Sequence, residues 1–390
     1  STKEYSSLTE LADGLLKGDC QAIVLNRAYL DVFDEIDNYA SFSSQIREIA
    51  SEQVEKLVER NTPAPVQTDV QAEDSSDTTQ DAAVTDQIYT IFVSGIDTRG
   101  DITASSRSDV NIVLTVNART KQVLMISNPR DYYVPLSISN GVPDKLTHAG
   151  IYGINVCMDT LNMLYDTDIN YYFRLNFAGF VQIIDALGGI TVYSDYDFNS
   201  GNITGYHFNQ GENYLNGEQA LVFARERYAF QEGDRQRGKN QMAVIKGVIN
   251  KALSPELLKN YSSVLSSIQG CFETNISYEE IARLLQQQLN NGGSWNIVSY
   301  SVNGTGDTQK PYSMSQKAYV MIPDESTVQK AEEMMKKVRD GETVSQEEAD
   351  ADASAAAATD TDTQSAAAET TDTAAQNATD TQAADSGAAQ

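Results

Sequence analysis

Apolar positions along this chain switch repeatedly between a two-residue and a three-to-four-residue spacing, and the switches divide it into predicted strands and helices. Leu8, Leu11, Leu15 and Leu16 have helical spacing, and CQAIVLN at 20–26 is a short strand candidate. Tyr29, Phe33, Ile36 and Tyr39 then return to helix, and Ile46, Ile49, Val54 and Leu57 make a further stripe. IYTIFVSGID, from Ile88, reads as a strand ending in a loop. DVNIVLTVNARTKQVLMIS reads as two strands joined by a turn at Asn117–Thr120, closed by Asn128-Pro129. Leu146, Ala149, Ile154, Cys157, Leu161 and Leu164 predict one long helix over Lys145–Tyr165, weakened by Gly150 and Gly153. YYFRLN reads as a strand and FAGFVQIIDALGG as a helix ending at Gly188-Gly189. The polar stretch 199–213 reads as surface loop, LNGEQALVFAR as helix, and 234–290 as largely helical with breaks at Ser254-Pro255 and near Gly270. SWNIVSYSV and KAYVMI are late strands, and Glu325–Val338 is the last helix. This alternation predicts a mixed α/β fold, a central mostly antiparallel or mixed sheet flanked by helices on both faces.

Composition sets the boundaries. Residues 61–87 and 341–390 contain no basic residue and few large aliphatics, so neither offsets its ordering entropy by burial. They read as an acidic linker and a disordered acidic tail, around a main domain at 88–340 and behind a small helix-rich accessory domain at 1–60. Together they hold 17 of the 55 acidic residues, which brings the formal charge of −27 to about −10 for the remainder. That acidity argues against broad nucleic-acid binding and leaves room for a local cationic pocket. No run approaches 18 apolar residues, so no membrane span is expected. A start at Ser1 without a methionine suggests either a processed protein or a recombinant product, in which case an upstream signal or anchor is among the segments that could have been removed. Cys20, Cys157 and Cys271 form no zinc pattern and are read as isolated thiols rather than a disulfide.

Positive charge gathers in LVFARERYAFQEGDRQRGKNQMAVI, at 221–245, where Arg225, Arg227, Arg235, Arg237 and Lys239 repel one another unless acids or a ligand compensate. Glu218, Glu226, Glu232 and Asp234 are the local acids available. Arg225 and Arg227 share one side of an extended segment, while Arg237 and Gln241 share a helix face behind an N-cap at Asp234. Guanidinium forks and the free N–H groups of a helix start are phosphate-binding equipment. Asp97, Arg99, Arg107 and Asp109 lie between two predicted strands and are either a capped loop or part of a magnesium site, since paired carboxylates suit a hard cation. Arg130-Asp131 is either a turn-closing ion pair or a further phosphate ligand. His148 reads as a structural histidine, and Tyr171–Phe173, Phe177 and Phe180 either pack sheet against helix or line an apolar groove. No P-loop, HExxH or GxSxG occurs.

In order and spacing, VSGIDTRG, SSRSDVNIVLTVN, ISNPRDYYVP, DKLTHAGIYG, FAGFVQIIDALGGI and LNGEQALVFARERY…GDRQRGKNQ resemble the LytR-CpsA-Psr family over roughly residues 86–255. The N-terminal piece is similar to the accessory region of the streptococcal capsule-associated members. The resemblance implies a membrane-anchored enzyme on the outer face of the cell, with a lipid tunnel beside its sheet. It implies transfer of an anionic glycopolymer, capsule polysaccharide or wall teichoic acid, from a polyprenyl-pyrophosphate-linked donor to a peptidoglycan acceptor. By the same resemblance Asp97 and Asp109 hold Mg2+, Arg130, Arg225, Arg227 and Arg237 clamp the pyrophosphate, Gln241 is a pocket amide, and Asp234 heads its helix. Arg107 is an added pyrophosphate ligand, and Asp131 and Asp234 are general-base candidates. Asn240 stands where many members have a second arginine, which points to the streptococcal subgroup. A binding module for polyprenyl-linked glycans and a slow pyrophosphatase are the competing functions.

Overall fold

In the computed structural model, residues 3, 5, 8–25, 33, 39, 41–50, 88–96, 102, 106–258 and 260–351 are described. The predicted linker at 61–87, most of the accessory-domain helices and the tail beyond 351 lie outside them, as do Asp97 and Arg99. In chain order the elements are α1 (Leu8–Leu16), α2 (Phe42–Gln45), β1 (Ile88–Ile96), β2 (Ser108–Asn117), β3 (Gln122–Asn128), β4 (Tyr133–Pro135) and β5 (Pro143–Lys145). A 3-10 turn, Leu146–His148, leads into α3 (Ala149–Tyr152) and α4 (Ile154–Tyr165), followed by β6 (Tyr171–Asn176) and α5 (Phe177–Ala186). Then come β7 (Ile190–Ser194), β8 (Phe198–Asn199), β9 (His207–Phe208), β10 (Gly211–Leu215), α6 (Gly217–Arg225) and α7 (Asp234–Ala252). The chain continues through α8 (Pro255–Leu258), α9 (Tyr261–Ser267), β11 (Phe272–Thr274), α10 (Tyr278–Asn291) and β12 (Asn296–Ser301). It ends, among the described residues, with β13 (Gly304–Gln309), β14 (Ala318–Pro323), α11 (Glu325–Arg339) and α12 (Gln346–Asp350).

Six strands form the central sheet in the order β11-β6-β1-β2-β3-β12. β1 runs antiparallel to β2 and parallel to β6, β2 antiparallel to β3, β12 parallel to β3, and β11 antiparallel to β6. The sheet is therefore mixed, as expected. Strand alternation sends Phe92, Val113, Leu124, Ile126, Val298 and Tyr300 to one face, where α4 and α11 cover them. Ile91, Val93, Ile112, Leu114, Val123, Met125 and Ile297 go to the other, where Met242, Ile245 and Ile249 of α7 lie. β3 is buried at every position, as a central strand covered on both faces must be. α7 also packs through Val244 and Val248 on a satellite core with Phe223 of α6 and Ile190 and Val192 of β7.

Several expectations change. Gly153, at φ 113, breaks the predicted long helix into α3 and α4. The stretch 20–25 is no strand, and Val24 is fully exposed. Residues 199–213 carry short strands rather than only loop, and β11 sits inside the region read as helical. All three cysteines are free thiols, as expected.

The folded domain also runs past residue 340. Val344 and Ala349 are completely buried in the core beside α11. Beyond that, Gln346 Nε2 donates to the Ser299 carbonyl at 2.9 Å while its Oε1 accepts from the Ser299 N–H at 3.0 Å, so one side chain satisfies an edge-strand residue as a neighbouring strand would. Alanine-rich composition concealed this segment, because two small buried residues and one amide carry it. Val344→Ala is expected to lower stability by roughly 2 kcal/mol and Gln346→Ala by about 1 kcal/mol, both by urea unfolding. A chain ending at Ala351 should match the full chain.

Candidate functional site, a cationic pocket opening onto an apolar cavity

The arginine segment is shaped by a buried acid. Asn216 caps α6 with a capping box, and the helix ends at Arg225, after which Glu226 is extended. Glu226 has no exposed surface. One carboxylate oxygen accepts from the N–H groups of Arg227, Tyr228 and Ala229 at 3.0, 2.8 and 3.0 Å. The other accepts from the Ser200 hydroxyl and, at 3.1 Å, from the Asn202 N–H. Burial opposes ionisation of this carboxyl, but the Ser200 hydroxyl and the amides of Asn202, Ala229 and Tyr228 outweigh it and hold its pKa below the ordinary value. Glu226 therefore directs both oxygens to the amides and hydroxyl of its own loop. Arg225 and Arg227 flank it in the chain.

Those two arginines line a cavity of about 230 Å³ with Arg130, Arg237, Gln241 and Asp109, so most of the expected clamp converges from β2, the β3–β4 loop, the end of α6 and the first turns of α7. The Arg225 guanidinium lies over the Phe177 ring, 4.2 Å from its centroid. Arg130 Nη1 contacts Asp109 Oδ1 at 3.0 Å, and Thr147 Oγ1 donates to the same oxygen at 3.0 Å. Arg237 Nη2 lies 3.0 Å from Asp234 Oδ2, and Arg227 Nη1 lies 3.7 Å from Asp234 Oδ1. Burial draws the Arg237 pKa below its ordinary value; Asp234 opposes this, Arg130 pulls the same way, Asp109 opposes and Arg227 pulls again. Bringing these guanidinium groups together is costly in an empty pocket and favourable around an anion.

Other expected residues fall elsewhere. Asp234 is the first residue of α7, not its N-cap; Gly233, at φ 47, holds that position without a side-chain cap. Arg235 donates to Asn303 Oδ1 and Lys239 pairs with Glu232 at 3.1 Å, so both point away from the cavity. Arg107, half-buried ahead of β2, is not among the lining residues. Asp131 is not among them either. It lies 3.2 Å from buried Lys145 and 3.6 Å from Arg130 Nε, which makes it a buttress for Arg130. Asp144, His148 and Ser313 have the residue types of a hydrolytic triad, but Asp144 Oδ1 and Ser313 Oγ both approach the same His148 Nδ1, each at 2.8 Å. All three anchor a loop, as a structural histidine would.

A second cavity, about 470 Å³, continues from the first between the sheet and helices α5, α7, α9 and α10. Val93, Leu175, Phe180, Val244 and Ile245 line both. Tyr171 and Phe173 line the second, Phe177 the first and Phe180 both, whereas Tyr172 lines neither and packs on the main core. Of the aromatic residues left open between packing and a groove, four therefore line a groove and one packs. Sequence reasoning missed α9 and α10 as walls, since their amphipathic stripes read like any core-facing helix.

Residues 49–337 match the LytR_cpsA_psr family. The chain belongs to that family. Among relatives of this family member, it is 34% identical over 223 residues to the polyisoprenyl-teichoic acid–peptidoglycan teichoic acid transferase TagU of Enterococcus faecalis, spanning 57% of this chain and 72% of the relative. It is 36% identical over 192 residues to the TagU of Bacillus cereus strain AH820, spanning 49% of this chain and 61% of that protein. The crystal structure of B. subtilis TagV superposes with a TM-score of 0.56 at 26% identity, covering 66% of this chain and 99% of that one. These names overturn the expected placement among the streptococcal capsule-associated members of the LytR_cpsA_psr family. Asn240, which suggested it, has a local explanation. Its Nδ2 donates to the Phe223 carbonyl at 3.2 Å and its Oδ1 accepts from Gln236 at 2.9 Å, so it fastens α7 to α6 and lines neither of these two cavities.

Glu226→Gln puts an amide donor against groups that need an acceptor, and is expected to cost roughly 2–3 kcal/mol at neutral pH by urea unfolding. A carboxyl with a depressed folded pKa contributes fully above its unfolded value and loses that contribution as pH falls through the folded one. The deficit of Glu226→Gln should therefore shrink below about pH 4.5.

Proposed function

We propose that this protein transfers a teichoic-acid-class glycopolymer from a polyprenyl-pyrophosphate carrier to peptidoglycan, at the outer face of the membrane. The carrying observation is that one set of side chains, Val93, Leu175, Phe180, Val244 and Ile245, walls both the arginine pocket and the apolar cavity. Such a site suits an amphiphile with a compact multivalent anion joined to a long hydrocarbon. Relatives named as transferases of polyisoprenyl-linked teichoic acid supply the reaction. Among the described residues no helix is long and apolar enough to cross a membrane.

Arg225, Arg227, Arg130 and Arg237 bind the diphosphate and neutralise the charge that moves onto the leaving polyprenyl phosphate. A hydroxyl of the acceptor sugar attacks the glycan-side phosphorus, forming a new P–O bond as the bond to the polyprenyl phosphate breaks. The hydroxyl's proton must leave toward a base at the mouth. Both candidate acids are paired with cations, and neither is among the lining residues. Asp131 contacts Lys145 and Arg130 and is 14% exposed, whereas Asp234 contacts Arg227 and Arg237, themselves lining residues, and is 40% exposed, which leaves it the more accessible of the two. We assign the base to Asp234.

We infer that Asp109 is the residue here that would hold a magnesium ion, although among the described residues no group of three or more His, Cys, Asp or Glu side chains is placed to do so. Asp109 lines the pocket, its Oδ1 is engaged by Arg130 and Thr147, and its Oδ2 has no partner among the described residues. Asp109 would hold the ion, with Asp97 a candidate beyond the end of β1. When bound, Mg2+ would neutralise phosphate oxygens. An oxygen ligand facing an anion pocket is the donor type such an ion needs.

Arg225→Ala or Arg227→Ala is expected to lower transfer from a labelled polyprenyl-pyrophosphate glycan by about 100-fold or more while leaving the unfolding midpoint within about 1 kcal/mol. Full transfer by both purified variants would defeat the assignment. Ile245→Trp, which narrows the passage between the cavities, should raise KM for a long-chain donor and spare a short-chain one. Equal effects on both would mean the lipid lies elsewhere. Release of polyprenyl phosphate separates an enzyme from a mere binding module.

A further inference from the structure

One aromatic at the pocket mouth is unused by the chemistry above. Tyr228 lines the arginine cavity yet is 63% exposed. Its position is fixed. Arg227 Nη2 donates to the Tyr228 hydroxyl at 2.6 Å, and the Arg227 guanidinium lies 4.7 Å from the ring centroid. Its Cβ rests against Gly201, where any side chain would begin 2.9 Å from it. Holding a tyrosine so firmly while leaving most of it in water is a poor use of apolar surface unless something covers the ring.

Asn202 lines the same cavity and is also exposed. Its backbone N–H and that of Tyr228 are both held by Glu226, one on each carboxylate oxygen. A single buried acid therefore holds the backbones of a tyrosine and an asparagine that both line the anion pocket. The pair has the chemistry that recognises a sugar: a ring for the C–H face of a pyranose, and an amide that both donates to and accepts from its hydroxyls.

We propose that Tyr228 and Asn202 form a pyranose subsite at the mouth of the diphosphate pocket, with Tyr228 stacking on the sugar ring. This rests on the reading that the pocket binds a pyrophosphate carrying a glycan. The sugar is either the one attached to the donor diphosphate or the acceptor unit, and both must lie within a bond or two of the phosphorus attacked.

The test is equilibrium binding by the full chain, without turnover. In one arm, detergent-solubilised polyprenyl pyrophosphate is compared with the same lipid bearing a single hexosamine. In the other, a soluble peptidoglycan glycan fragment is titrated with and without the bare lipid. Tyr228→Ala should weaken the sugar-bearing lipid or the glycan fragment by roughly tenfold more than it weakens the bare lipid, and Tyr228→Phe, which keeps the ring, should restore that difference. The arm that shows the loss identifies the sugar. Equal loss for bare and sugar-bearing lipid, a Phe variant as impaired as Ala, or no loss in either arm overturns the subsite. Wild-type protein that fails to bind the bare lipid would instead defeat the transferase reading, while the glycan arm still decides the subsite.

Discussion

Everything at the mouth of this pocket depends on burying one carboxylate. Glu226 accepts four backbone N–H groups and a hydroxyl, and no cation is needed to keep it ionised. Backbone amides cannot move away or be titrated, so the loop they belong to is fixed more firmly than an ion pair with a long side chain would fix it. Arg225 closes helix α6 rather than lying in an extended segment as expected, and Arg227 follows the extended Glu226, yet both line the cavity, with Asp234 between Arg227 and Arg237. An acid that sequence inspection takes for a counter-charge instead anchors the loop that follows Arg225, while Asp109, Asp131 and Asp234 supply the carboxylates beside the arginines.

Much of the site is legible in the chain because chemistry and spacing coincide there. Arg225, Arg227, Arg237 and Gln241 are grouped within seventeen residues, and the helix start at 234 is readable, so the pocket's near side follows from periodicity alone. Its far side is harder. Asp109 and Arg130 meet at 3.0 Å because β2 and β3 pair antiparallel with Asn111 opposite Asn128, which brings the residues just outside that pair together. The hairpin signal at 117–120 foretells that meeting.

Other features stay hidden for physical reasons. Asp131 and Arg130 are neighbours with similar prior claims, and only Lys145, arriving from β5, separates a pocket ligand from its buttress. Asn240 resembles a lost pocket residue until the carbonyl of Phe223 is seen beneath it. Short strands such as β8, β9 and β11 carry two or three residues of pattern, too few to distinguish from loop. Local sequence records what a residue is; long-range packing decides what it faces.

The functional reading draws its strength from one helix face. Arg237, Gln241, Ile245 and Ile249 of α7 are each four residues apart, so they lie in a row on one side of the helix. At 1.5 Å per residue the row is about 18 Å long. Arg237 and Gln241 line the anion pocket, Ile245 lines both cavities, and Ile249 lines only the apolar one. Along that line the surface passes from cation to amide to hydrocarbon without a break. A small free anion would use only the first turn of such a row, and a lipid only its last. Continuity of the whole row makes sense for a single guest with both ends, which is why a polyprenyl pyrophosphate accounts for this helix better than either half-ligand does.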